Sequence, residues 1–178
     1  MIIVSHHLLK KTHIEFPNDH VVMRINVAWI HEVSELIDLL GKIKHDIYLD
    51  YPQGRSKPPR PTMTLEEVLE LIPHYKNVKY FAISNVEDPQ AIARIKARLP
   101  KGTGLIPKIE TRKGIESLGK IIDSIAAQYI MLDKEDLYID IERDHELFER
   151  LIDQARKTCK EKGVKILELQ GVVFAPHE

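Results

Sequence analysis

Lys108 and Glu110 stand two residues apart at the end of the apolar run Leu105-Ile-Pro-Lys-Ile-Glu110. Residues i and i+2 of a strand point to the same face, so an ammonium and a carboxylate would share one surface. Thr111 to Ile125 follows at once with helical spacing of Ile115, Leu118, Ile121 and Ile122. The end of a strand beside a helix N-terminus is where α/β folds place their chemistry. Other polar residues hold comparable positions. Arg24 and Asn26 lie in the run 21–28, Asp50 ends the run 45–50, and Ser84 ends the run 77–84. Asp133, Glu135 and Asp136 follow the run 128–132. Glu110 with one of those three acids makes an oxygen donor set that suits a hard cation such as Mg2+. Lys108 beside it suits stabilising an enolate or a transferring phosphoryl oxygen, or moving a proton. Arg24 suits a phosphate or carboxylate. A buried arginine needs an anion, and Asp50 or Glu110 would serve as well as a ligand.

The elements that must position these residues alternate. Strands are predicted over 1–5, 21–28, 45–50, 77–84, 103–109, 128–132 and 164–169, and helices over 30–42, 64–74, 88–98, 111–125 and 143–162. Thr64-Leu-Glu-Glu67 carries a capping box, Pro89 suits a first helical turn, and Gly163 suits a helix stop. Residues 51–62 hold four prolines and a glycine, which forbid regular structure. The tail from Gly171 is apolar and then Pro-His-Glu. Alternating β and α with short loops implies a parallel sheet with right-handed crossovers, either a barrel or an open sheet.

Composition bounds the rest. With 178 residues, one domain spanning 1–178 is expected. Twenty-six basic and 27 acidic residues give a net charge of −1, against a nucleic-acid binder. No apolar run approaches the roughly 20 residues of a membrane span, and the first residues do not resemble a signal peptide. The single cysteine, Cys159, permits no internal disulfide and fits a cytoplasmic protein. His6, His7, His13, His20 and His31 lack the spacing of a zinc site. Arg55, Lys57 and Arg60 read as solvated loop charges.

The motifs resemble pyruvate kinase, in that family's order. Lys108-Ile-Glu110-Thr-Arg-Lys-Gly114-Ile is similar to its Lys-Ile-Glu-Asn-x-Glu-Gly-Val. Arg24-Ile-Asn26 resembles Arg-Leu-Asn-Phe-Ser, and Leu49-Asp50 with Gly54 resembles Leu-Asp-x-x-Gly-Pro. Met63-Thr-Leu-Glu-Glu67 resembles Leu-Thr-Glu-Lys-Asp. Phe81-Ala-Ile-Ser84 resembles Phe-Ile-Ala-x-Ser, and Ile130-Met-Leu-Asp-Lys-Glu-Asp136-Leu resembles Ile-Met-Val-Ala-Arg-Gly-Asp-Leu. The resemblance implies a (β/α) TIM-type barrel, minimal or incomplete, of about seven parallel strands. It implies catalytic roles for Lys108 and Arg24, with Glu110 and Asp136 as ligands of Mg2+ or Mn2+. Asn26 and Asp50 would belong to a monovalent-cation site, and Ser84 to the same binding surface. The related citrate lyase and aldolase barrels hold a 2-oxo acid or its enolate in this way.

The departures are specific. The family's lid domain is replaced by residues 51–63. Ala28 and Tyr51 stand where the monovalent-cation site has hydroxyls. Glu135 and Tyr138 replace two glycines around the metal aspartate. The pattern ends near the seventh strand, so open strand edges are expected, covered by a homo-oligomer, a swapped tail or the N-terminal segment. The expected ligand is phosphoenolpyruvate, pyruvate or a related 2-oxo acid. The alternatives are a catalytically degenerate barrel that binds a metabolite or protein partner, and one piece of a longer barrel.

Overall fold

A computed structural model describes residues 2–5, 20–54, 59–170 and 173–176. Its strands are β1 (Ile2–Ser5), β2 (Val21–Asn26), β3 (Asp46–Tyr51), β4 (Val78–Ile83), β5 (Gly104–Ile109), β6 (Tyr129–Leu132), β7 (Lys165–Gln170) and β8 (Val173–Pro176). They close a barrel in chain order. The first seven pair in parallel. The eighth runs antiparallel to both β7 and β1. The seven-stranded reading holds, and the gap it left is filled by the chain's own tail. β8 was not predicted as a strand. It pairs the edges that motivated the expected homo-oligomer.

Each parallel strand is buried on both faces, which is why these segments read as apolar runs rather than alternating ones. Ile3, Val22, Tyr48, Ala82, Ile106, Met131 and Leu167 point inward and fill the barrel. Tyr48 is fully buried, and its hydroxyl donates to Met131 Sδ at 3.6 Å. The opposite faces, including Ile25, Leu49, Phe81, Ile109 and Ile130, join the outer core. That layer is completed by α1 (Val33–Lys42), α2 (Leu65–Leu71), α3 (Pro89–Arg98), α4 (Arg112–Ile125), α5 (Lys134–Asp140) and α6 (His145–Lys162).

Local signals operate as read. Thr64 and Glu67 form the capping box that starts α2. Asp88 caps α3 with Pro89 in its first turn, and Gly163 closes α6 in the left-handed conformation. Two readings need correction. The second strand stops at Asn26, because its side chain accepts from the Ala28 N–H at 3.0 Å and opens a 3-10 turn over Val27–Trp29. The seven-residue α5 went unpredicted because it buries a single side chain, Leu137, and so lacks an apolar stripe. No helix among the described residues is long and apolar enough to cross a membrane.

Candidate functional site

Parallel pairing brings the C-terminal ends of β1 to β7 to one mouth of the barrel. Strand alternation then decides which side chains turn inward there. Arg24 lies two residues beyond Val22, Asp50 two beyond Tyr48, Ser84 two beyond Ala82 and Lys108 two beyond Ile106. Each is therefore stacked one layer above the apolar interior. With Asn26, Glu110 and the start of α5, most of these residues line a cleft of about 610 Å³.

The cations of this cleft are already engaged. Arg24 donates to Asp50 through Nε at 2.9 Å and through a terminal guanidinium nitrogen. Lys108 Nζ contacts Glu110 Oε1 at 2.9 Å, the Ser84 hydroxyl at 2.9 Å and Asp50 Oδ1 at 3.8 Å. Burial pushes the Lys108 ammonium toward losing its proton, but Asp50 and Glu110 outweigh it and hold its pKa above the ordinary value. Burial likewise acts against the Arg24 charge, and Asp50 again outweighs it, leaving that pKa raised. Glu110 is pushed up, chiefly by burial, while Lys108 and the Asn85 N–H pull it down and the like charge of Asp133 adds to the rise.

The carboxylates converge beside this cluster. Glu110, Asp133 and Asp136 each present an oxygen within 4.8 Å of the others. Asp133 arrives from the end of β6, where its backbone N–H donates to Ile109 O at 3.1 Å. It caps α5 by accepting from the Asp136 N–H at 3.2 Å, so one short turn carries both acids. Lys134 ties that turn to Glu168 on β7 at 2.7 Å, and Asp140 accepts from the Arg112 N–H at 2.8 Å at the start of α4.

The structure thus brings together Arg24, Asp50, Ser84, Lys108, Glu110 and Asp136, with Asn26 on the same lining. Asp133 joins as a third acid, as the alternatives to Asp136 allowed. Tyr51 turns outward, donating to Met63 O at 3.2 Å within the outer core. It therefore presents no hydroxyl beside Asp50, whose Oδ2 accepts from Arg24. His20 pairs with Asp46 at 2.7 Å, at the start of β3 and so at the opposite end of the barrel. His6, His7, His13, Arg55 and Lys57 lie outside the described residues. One functional group escaped sequence reading: the backbone N–H of Asn85, which donates to Glu110 Oε2 at 2.8 Å. Its only signal is residue type, since asparagine tolerates positive φ better than most.

No protein-family model matches the sequence, and no curated protein does. Solved structures do match in fold. An HpcH/HpaI aldolase/citrate lyase family protein from Burkholderia cenocepacia is 12% identical with a TM-score of 0.60, over 84% of this chain and 71% of that one. RipC from Yersinia pestis is 16% identical with a TM-score of 0.58, over 83% and 68%. The citrate synthase SbnG is 13% identical with a TM-score of 0.64, over 86% and 69%. The chain therefore shares the barrel architecture of these three proteins.

Proposed function

We propose that the protein is a Mg2+-dependent enzyme acting on phosphoenolpyruvate, pyruvate or a related 2-oxo acid through an enolate, by lyase, aldolase or transferase chemistry. The observation that carries this reading is the meeting of Glu110, Asp133 and Asp136 beside the Lys108 ammonium at the strand-end mouth. The fit to a cation is chemical. All three donors are carboxylates, as Mg2+ prefers. Burial chiefly holds the Glu110 carboxyl up, and the like charge of Asp133 adds to it a repulsion that a cation between them would relieve.

When bound, Mg2+ would supply Lewis-acid charge to the oxygens of the substrate. The chain's own residues do the rest. Lys108 stays protonated at neutral pH, so it neutralises charge developing on a substrate oxygen and can deliver a proton. Its burial excludes water and strengthens that interaction. Arg24, on the same wall, is the group for the acid or phosphate end. Ser84 holds the Lys108 ammonium in place, and Asp50 orients Arg24. Pyruvate kinase-like motif order and fold neighbours described as a citrate synthase and an aldolase/citrate lyase family protein both support small carboxylic acids as ligands. A cytoplasmic location belongs to the same reading.

The test is thermal stabilisation by Mg2+ with oxalate, an enolpyruvate mimic. The expected result is a larger shift with both additives than with either alone, an increment that disappears in Lys108→Ala and Glu110→Gln. No shift, or one indifferent to those changes, rejects the reading.

A second reading is favoured by the Arg24–Asp50 pair, in which a protein carboxylate takes the place of a ligand anion, and by the short segment standing where pyruvate kinase has a lid. Under it the barrel binds a metabolite or protein partner without turnover. Mg2+-dependent exchange of the pyruvate methyl protons in heavy water distinguishes the two. Exchange selects the enzyme, and ligand binding without exchange selects the binder.

A further inference from the structure

Glu110 is held from two sides. Its Oε1 faces Lys108 at 2.9 Å, and its Oε2 accepts from the Asn85 N–H at 2.8 Å. Asn85 lies two residues beyond the end of β4 and has φ 55°, in the left-handed region that few non-glycine residues occupy. Such a conformation persists only where the surroundings over-determine it. Here its flanks are pinned on both sides, with Ser84 N–H donating to Tyr51 O at 3.1 Å and Val86 N–H to Lys108 O at 3.2 Å. The Asn85 side-chain amide donates to the Gln53 carbonyl at 2.8 Å. Gly54, itself at φ +68°, packs against that amide, and a Cβ there would lie 3.3 Å from Nδ2. Forcing residue 85 out of the left-handed region must displace either its N–H from Glu110 or the Val86 link to β5.

We propose that Asn85 is a positioning residue for the cation site: its left-handed backbone aims one N–H at Glu110 and turns that carboxylate toward Asp133 and Asp136, while its side chain locks the turn to the segment after β3. This rests on the reading of Glu110 as a cation ligand. Neither the hydrogen bond nor the turn is needed for barrel closure, since Asn85 lies beyond the end of β4.

The test combines amide NMR of the metal-free protein with Mg2+ calorimetry. In wild type the Asn85 amide proton is expected downfield and protected from exchange. Glu110→Gln, which keeps shape but removes the charge, is expected to move it upfield and speed its exchange. Asn85→Gly keeps the left-handed turn and is expected to bind Mg2+ within about threefold of wild type. Asn85→Val opposes the turn and is expected to weaken Mg2+ binding about 10- to 100-fold, the range for groups that orient metal ligands. Circular dichroism of the two Asn85 variants controls for folding. An Asn85 amide indifferent to Glu110→Gln, or Asn85→Val binding Mg2+ as wild type does, overturns the proposal while leaving the cation site intact. Wild type that binds no Mg2+ overturns the cation reading itself, and the proposal with it.

Discussion

Lys108 meets Glu110, Ser84 and Asp50 at once, and that surrounding decides what it can do. A buried ammonium beside two carboxylates keeps its proton at rest, so it acts as a positive charge or a proton donor and not as a base. If the enzyme reading holds, Lys108→Ala is expected to lower turnover about 10²–10³-fold, as loss of one oxyanion donor does. Steady-state kinetics would measure this, with Mg2+ affinity retained because Lys108 is not a ligand. Cys159 is the opposite case, a buried thiol with no charged partner among the described residues. Burial raises its pKa from 9.0 to about 11. Between those values the unfolded chain loses the thiol proton and the folded chain keeps it, so stability falls as pH rises through that window. Native protein is expected to resist iodoacetamide at pH 8, with labelling only as fast as unfolding. Cys159→Ala should remove its share of the alkaline loss, measured by urea denaturation at pH 8 and pH 10. At this scale the sequence was informative wherever period-two alternation applied. Lys108 with Glu110 and Arg24 with Asn26 were legible as same-face pairs. Asn85 was not, because its contribution is a backbone N–H in an unusual conformation, which no side-chain pattern records.

Among the elements, α4 and α5 set the acidic side of the cleft. The first turn of α4 presses against the loop after β4. Gly114 makes this possible, since a Cβ there would lie 2.8 Å from Val86 O, a backbone atom that cannot easily yield. Gly114→Ala is therefore expected to destabilise the fold by about 1–3 kcal/mol, measured by urea denaturation, from overpacking alone. The two longest helices were legible because each buries an apolar stripe, as Ile115, Leu118, Ile121, Ile122 and Ile125 do on α4, whereas α3, with only Ile92 buried, was legible from its Asp88-Pro89 start. α5 escaped because its seven residues are placed by polar links, through the Asp133 cap, Lys134 to Glu168 and Asp140 to Arg112. Short helices held from outside carry little periodic signal.

For the molecule as a whole, the decisive feature is how a short chain closes its barrel. Seven parallel strands leave two edges, and β8 reverses direction to pair with both. Its four residues fell below any reliable alternation, and its partners β1 and β7 are far apart in sequence. Removing residues 171–178 would reopen those edges. The expected result is a loss of more than about 3 kcal/mol, or self-association, seen by denaturation and sedimentation. Closure matters for function because β1 to β7 must stay in register for Arg24, Lys108, Glu110 and Asp136 to face one cleft. The proposed chemistry requires this cleft to hold one divalent cation on its acids. Anomalous diffraction from a crystal soaked with Mn2+ and oxalate tests it most directly. The expected map has a single strong peak at roughly 2.1 Å from carboxylate oxygens of Glu110 and of Asp136 or Asp133, with oxalate reaching toward Lys108. A map with no peak there, or with its peak elsewhere in the barrel, contradicts it.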